Sequence, residues 1–314
     1  MNESRTDSGN SNASRPLLST KDIFELSSLQ LRARVIGEGV MAGEHRSMRL
    51  GASANFAEYK EYTPGDDIRR LDWKAFAKFN RYFIRRYEET TQIPVHLIVD
   101  TSASMAYRGG AQGTHHVSKS EYANTLAAGL AWIALSQHDS ASLRLFAGDT
   151  HTHIAASSFE SQFIALLSAL EEANPLGETQ FLHSIQSASL ESTRPSSIIL
   201  VSDLLGHEPE LFQYLGVLRT QGSDVTIVHV MDPEELDFPF DGVVRFEDLE
   251  SEQTIQVDAD AVRDGYLTQL RLFLDTVRSE CNQRDLQYQL TSTDQSPIHA
   301  IAALLSSQPH GRGR

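Results

Sequence analysis

From Gln92 onward the chain alternates short, almost wholly apolar runs with longer helical patterns, and no other feature restricts its fold so severely. VHLIVD (95–100), SIILVSD (197–203) and VTIVHVM (225–231) have the length of strands and no polar face to turn toward water. Strands of that kind are buried on both sides, as in parallel sheets covered by helices. Between them lie helical patterns: SKSEYANTLAAGLAWIALSQ (118–137), with a Ser-x-x-Glu cap signal at Ser118 and Glu121, then 159–173, 181–190 and 209–220. SLRLFAG (142–148) and HIAAS (153–157) read as a strand pair, and 238–257 as a polar hairpin-like insert. A long helix (259–281), a strand LQYQLTST (286–293) and a last helix (296–307) complete the pattern. The fold class implied is α/β: a doubly wound, mostly parallel sheet flanked by helices.

The front of the chain obeys other rules. Residues 1–18 are polar, with too few apolar side chains to offset ordering entropy, and are expected to form a loose, disordered tail. Ser19 and Thr20 can cap a helix through Lys21–Ala33, with Ile23, Leu26, Leu29 and Ala33 on one face and Phe24 and Leu31 widening it. Gly37 to Tyr62 is Gly-rich and reads as irregular. Pro64-Gly65-Asp66-Asp67 is a turn signal, because Pro fixes φ and Gly tolerates the backbone of the next turn position. After it Leu71, Trp73, Phe76, Phe79 and Tyr82 supply an aromatic apolar set amid basic side chains. The expected organisation is a tail (1–18), an N-terminal accessory segment carrying the PGDD turn (19–91), an α/β domain (92–307) and a flexible tail (308–314).

Charge and cysteine content narrow the function classes. Twenty-seven basic against 42 acidic residues leave a net charge of −15, which opposes nonspecific attraction to phosphate backbones and anionic membranes. The basic run Arg69, Arg70, Lys74, Lys78, Arg81, Arg85, Arg86 therefore reads as a solvated or protein-facing surface rather than a nucleic-acid site. Asp66, Asp67 and Asp72 read as a turn neutralised by Arg69 and Arg70 rather than an acid/base pair. Cys281 is the single cysteine, so no internal disulfide and no multi-cysteine zinc site can form, and it reads as an ordinary helix residue. His115-His116 and His151-x-His153 lack a third nitrogen or sulfur ligand nearby. No apolar stretch approaches the roughly 20 residues of a membrane span, and the polar start has no signal core, so the chain is expected in the cytoplasm.

The residues that carry chemistry begin at HLIVDTSASM (96–105), where a buried strand ends on Asp100 and is followed by Ser102 and Ser104. Ligands of doubly wound sheets bind beyond the carboxyl ends of strands. In an extended or turning loop alternate residues project the same way, so Asp100, Ser102 and Ser104 can converge on one point. They could hold a metal ion, prime a phosphoryl acceptor, or cap a helix. Asp203 at the tip of SIILVSD and Thr179 in the loop NPLGETQF extend the set to five hard oxygens, suited to Mg2+ or another divalent cation.

In order, Asp100, Ser102, Ser104, Thr179 and Asp203 match the D-x-S-x-S, T, D pattern of the metal-ion-dependent adhesion site, and the chain over about 95–305 resembles the von Willebrand factor A-type fold. The resemblance implies that these five residues hold the ion, partly through water, and that its remaining position accepts a carboxylate from another protein. GEHRS (43–47), Phe56-Ala57-Glu58-Tyr59, YTPGDDIRRLDWKAFAK (62–78) and RRYEET (85–90) then look like the bacterial family labelled domain of unknown function 58, with departures at Asn55 and Thr90-Thr91. That resemblance implies a von Willebrand A-like domain and a MoxR-type AAA+ ATPase as partner, in chaperone-like or complex-maturation tasks.

An enzyme remains the alternative: Mg2+-dependent phosphoryl transfer with Asp100 as nucleophile. A haloacid-dehalogenase-like phosphatase needs a second Asp two residues on, where Ser102 stands. No phosphate-binding Gly-rich loop, nucleophile elbow or H-E-x-x-H zinc motif occurs either. The expectation is a non-enzymatic, metal-dependent protein-binding adaptor.

Overall fold

A computed structural model describes residues 19–43, 59–63, 76, 81–85, 93–110, 117–147, 150–177, 195–206, 209–249 and 253–307. Its centre is a six-stranded sheet built from β3 (Val95–Asp100), β4 (Ala141–Ala147), β5 (Thr150–Ser157), β6 (Ser197–Ser202), β7 (Asp224–Met231) and β10 (Gln287–Ser292), in spatial order β10-β7-β6-β3-β4-β5. All neighbours are parallel except the edge strand β5, which runs antiparallel to β4. The chain therefore leaves β3 toward β4 and returns to the other side of β3 as β6. The loops after β3 and β6 diverge at that reversal, which is where doubly wound sheets open a crevice.

The apolar runs explain the layering. Along β3, Leu97 and Val99 face one core, which they share with helices α2 (Leu29–Gly43), α3 (Lys119–Ser136), α4 (Glu160–Glu172) and α8 (Pro297–Ser307). Ile98 points the opposite way, with Ile198 and Leu200, into a second core under α5 (Pro209–Thr220) and α7 (Ala259–Gln283). Alternate side chains of one strand thus fill two layers, as the absence of a polar face required. Cys281 is buried in this second core, where desolvation pushes its thiol up to about 12; it packs as an apolar residue.

The continuous helix expected over 21–33 is instead two. α1 (Thr20–Phe24) starts on a Ser19–Asp22 capping box, and the chain breaks before α2. Ser28 causes the restart: its hydroxyl accepts from Leu31 N at 3.2 Å, the local bond by which serine favours helix starts over interiors. Arg32 then donates to the carbonyls of Phe24 (3.0 Å) and Leu26 (2.9 Å) left open at the break. Leu31, expected on the buried stripe, is exposed.

The glycines at 37 and 39 do not make this stretch irregular either, since α2 runs through them to Gly43. They allow close packing: a Cβ on residue 37 would sit 2.0 Å from Cε3 of Trp132 on α3, and one on residue 39 would sit 3.1 Å from Ile298 on α8. Residues 19–43 accordingly belong to the same core as the sheet, through Ile23, Leu29, Ala33, Ile36 and Val40.

In the remaining front segment β1 (Tyr59–Glu61) pairs antiparallel with β2 (Phe83–Arg85), and Phe76 stacks on Tyr82 with centroids 4.4 Å apart. The PGDD turn, most of the basic run, His115-His116 and the expected helix 181–190 lie outside the described residues. The insert after β7 contains α6 (Pro233–Asp237) and a hairpin of β8 (Val243–Glu247) and β9 (Thr254–Asp258). It is not simply polar. Phe246 and Val257 on alternating positions line an aromatic cavity of about 580 Å³ with Tyr107, Phe238, Phe240 and Tyr266. No helix among the described residues is long and apolar enough to cross a membrane.

Two glycine substitutions should separate helix propensity from packing. In an open helix Gly→Ala gains up to about 1 kcal/mol, and Gly265→Ala on α7, whose Cβ meets nothing within 4 Å, should raise stability by that order. Gly37→Ala must push α2 off Trp132 and should lower it by about 1–3 kcal/mol net, measured by urea unfolding of both variants.

Candidate functional site

Asp100 ends β3 fully buried, and its two carboxylate oxygens are held from different directions. Oδ1 accepts from Ser102 N at 2.9 Å, which turns the chain sharply after the strand; Oδ2 accepts from the Ser202 hydroxyl at 2.7 Å, across to β6. Ser102 then opens a short 3-10 turn (Ala103–Ala106) that brings Ser104 back beside it, the two hydroxyl oxygens 3.0 Å apart and both residues buried. Thr101 anchors the loop to the end of β4, both its N–H and its hydroxyl donating to Phe146 O at 2.9 Å.

The second loop is stitched to the first. Leu176 N donates to Thr101 O and Ala103 N to Gly177 O, each at 3.0 Å, with Gly177 in the left-handed region at φ 77°. Thr179 itself lies outside the described residues. The third loop carries Asp203, 1% exposed. Its neighbour Leu204 takes φ 56°, a conformation a branched apolar residue rarely adopts, and is fully buried. Ser202 Oγ accepts from Leu204 N at 2.8 Å and Asp203 Oδ1 accepts from Leu205 N at 3.0 Å, so the strained turn is locked from both sides.

Four of the five expected residues are thus described, and they lie at one point: the crevice where β3 and β6 part. Burial, and then the negative charge of Asp203, push the Asp100 carboxyl up from 3.8 to about 7; hydrogen bonds from Ser202 and Ser102 act in the opposite sense. An acid so placed favours a positive charge beside it, and the hydroxyls of Ser102 and Ser104 are neutral oxygens of the kind a hard cation accepts. Among the described residues no cluster of three or more His, Cys, Asp or Glu is placed to hold a metal. A cation at this point would depend on the hydroxyls, and the donor set fits one.

Several partners were not foreseen from the sequence. Lys119, the first residue of α3, is 1% exposed and places its Nζ 2.8 Å from Asp203 Oδ2 and 2.7 Å from Glu235 Oε1. Burial pulls its ammonium down, but Asp203 and Glu235 outweigh that and hold it above its ordinary range. Glu235 is itself lifted by burial, partly offset by Lys119; the contact is nevertheless that of an ion pair. Asp232, 1% exposed, caps α6 and accepts from Gly109 N at 3.2 Å and from the Thr293 hydroxyl at 3.1 Å. Tyr107 Oη donates to Glu234 at 3.1 Å. The signal for this group was available in MDPEEL, which puts three acids just past the carboxyl end of β7, the strand next to β6.

The Asp100 carboxyl should leave a pH signature in the chelated protein. Its folded value lies above its unfolded one, so its contribution to stability is full below about pH 4 and is lost as pH rises through about 7. The unfolding free energy of the wild type in chelator should therefore fall across that window relative to Asp100→Asn, which has no such titration, as read by urea unfolding at stepped pH.

Solved structures similar to this chain include BatB from Bacteroides thetaiotaomicron (17% identical, 68% of this chain and 97% of that one, TM-score 0.44). Others are an aerotolerance-related membrane protein from Bacteroides fragilis (18%, 69% and 100%, TM-score 0.46) and the VWA domain of SpRpn10 (12%, 71% and 99%, TM-score 0.41). In sequence, the uncharacterized proteins Rv1480 of Mycobacterium tuberculosis and Mb1516 of Mycobacterium bovis are each 24% identical over 247 residues, covering 77% of this chain and 75% of theirs. The family model described as protein of unknown function DUF58 matches residues 58–272, from the first strand of the front hairpin to the long helix α7, and the chain belongs to that family.

Proposed function

We propose that this chain is a non-enzymatic adaptor that captures an acidic side chain of a partner protein through a divalent cation. Asp100, Ser102, Ser104, Thr179 and Asp203 hold the ion, Mg2+ or another hard cation. The observation that supports this best is the pair of buried hydroxyls, Ser102 and Ser104, 3.0 Å apart on the loop that Asp100 turns, beside a second buried carboxylate. Bound there, the ion would supply a positive centre for an anionic group from outside. The chain's own residues fix the loops that present it. A MoxR-type AAA+ ATPase is the partner this reading nominates, and the cytoplasm its compartment.

Phosphoryl transfer is the weaker reading because of how Asp100 is held. Both of its oxygens already accept a hydrogen bond, from Ser102 N and from the Ser202 hydroxyl, an arrangement that holds the carboxylate in place rather than presenting it for attack. Ser102 stands where a general acid would be needed, and an alcohol does not titrate in the working range.

Asp100→Ala should weaken Mg2+ binding at least about 100-fold, since it deletes the one carboxylate of the first loop, while the cooperative unfolding transition is kept. In a pull-down on a purified MoxR-type ATPase, the wild type should retain the partner in Mg2+ and lose it in chelator, and the variant should fail in both. Equal retention by the variant overturns the reading. So does Mg2+-dependent hydrolysis of a generic phosphoester that vanishes in Asp100→Ala.

A further inference from the structure

We infer that Lys119 is a built-in cation that shares Asp203 with the divalent ion and sets the charge of the site, with Glu235 as its second anchor. This rests on the metal reading of the same site. Lys119 is placed for the role by contact with a proposed ligand: its ammonium lies 2.8 Å from Asp203 Oδ2 and 2.7 Å from Glu235 Oε1, and it is as inaccessible as Asp203 itself. Its position at the start of α3 is otherwise unfavourable, because a helix N-terminus is electropositive and favours acids. A lysine is buried there because Asp203 from the loop after β6 and Glu235 from α6 surround it.

The formal charges show what this accomplishes. With both aspartates and Glu235 ionised around a bound ion, the acids bring three negative charges and Lys119 one positive, so a divalent ion makes the group neutral. Without Lys119 the loaded site would keep a net negative charge and repel the acidic side chain it is meant to receive. Lys119 therefore holds cation affinity down and leaves the loaded site open to an anion. Charges a few ångströms apart in a buried setting interact strongly enough for one charge to change an affinity by about tenfold or more. Lys119 acts through Asp203, as a positioning residue.

The test is calorimetric titration of MgCl2 into the full chain and two variants that change the charge in opposite directions. Lys119→Met should bind Mg2+ at least about tenfold more tightly, and Glu235→Gln, which leaves Lys119 on Asp203 alone, at least about threefold more weakly. The double variant should return close to the wild type. The rise in melting temperature on adding Mg2+ should be larger than in the wild type for Lys119→Met and smaller for Glu235→Gln, whatever their starting stabilities in chelator. A merely structural ion pair predicts that both variants bind more weakly, and that result overturns the inference alone. If Lys119→Met does not fold even in Mg2+, Lys119→Gln, which also removes the charge but keeps a polar group for Asp203 and Glu235, takes its place: tighter Mg2+ binding supports the inference, and unchanged or weaker binding overturns it. A wild type that binds no divalent ion overturns the proposed function as well.

Discussion

Two carboxylates buried at the ends of adjacent parallel strands are the constraint around which this molecule is arranged. A lone ionised acid without water is so unfavourable that it titrates or finds a partner. Asp100 and Asp203 illustrate both outcomes. Asp100 is held by an N–H and a hydroxyl and is pushed up in pKa by burial and by its neighbour's charge. Asp203 takes a backbone N–H on one oxygen and an ammonium on the other. The reversal of strand order at β3 and β6 is what sets these acids side by side, and the left-handed turn at Leu204 is what keeps the second one pointing into the crevice.

The helical layer serves the same end. α3 is buried along almost its whole length, between the sheet and α2, α4 and α8. Only a helix with small and apolar residues on nearly every side can occupy such a position, which is what the run ANTLAAGLAWIAL from Ala123 to Leu135 provides. Gly129 shows how tight the fit is, since a Cβ there would lie 3.0 Å from both Ile36 and Ile301. Packed this closely, α3 cannot slide, and its first residue is delivered to the same depth as the strand ends. The break between α1 and α2 contributes too. Arg32, which closes that break, also bonds Glu121 in the first turn of α3 at 2.8 Å and so ties the front of the chain to the helix start that bears Lys119.

How much of this is legible in the sequence divides along a physical line. Asp100, Ser102, Ser104 and Asp203 are legible because their meaning is local: an apolar run of strand length that stops on an acid marks the carboxyl end of a buried strand, although it is a 3-10 turn and not extended alternation that brings Ser102 and Ser104 together. Lys119 is not, because in sequence a lysine at a helix start is indistinguishable from a solvated one, and its burial is decided by Asp203 and Glu235, 84 and 116 residues away. The full length of α2 is hidden for a related reason. Gly37 and Gly39 look like loop residues until Trp132 and Ile298 are seen to need the space a Cβ would fill. Ser28, by contrast, breaks a helix that the spacing of Ile23, Leu26, Leu29 and Ala33 predicts, a case of side-chain hydrogen bonding prevailing over hydrophobic pattern.

The described residues after the two serines, Tyr107 to Gly110, are bracketed by hydrogen bonds. Gly109 N bonds Asp232, Gly110 N and the Tyr107 hydroxyl bond Glu234, and Lys119 N reaches Tyr107 O at 3.0 Å. Gly109 is required at its position, where a Cβ would come within 2.3 Å of Asp232 Oδ1. Asp232 in turn bonds Thr293 beyond β10, and Tyr266 on α7 bonds Glu235 O at 2.8 Å. Loops from β3, β7 and β10 thereby form one hydrogen-bonded rim. Ordering entropy that folding has already removed need not be removed again on association, so a rim fixed in this way favours docking of a preformed partner surface over wrapping by a flexible one.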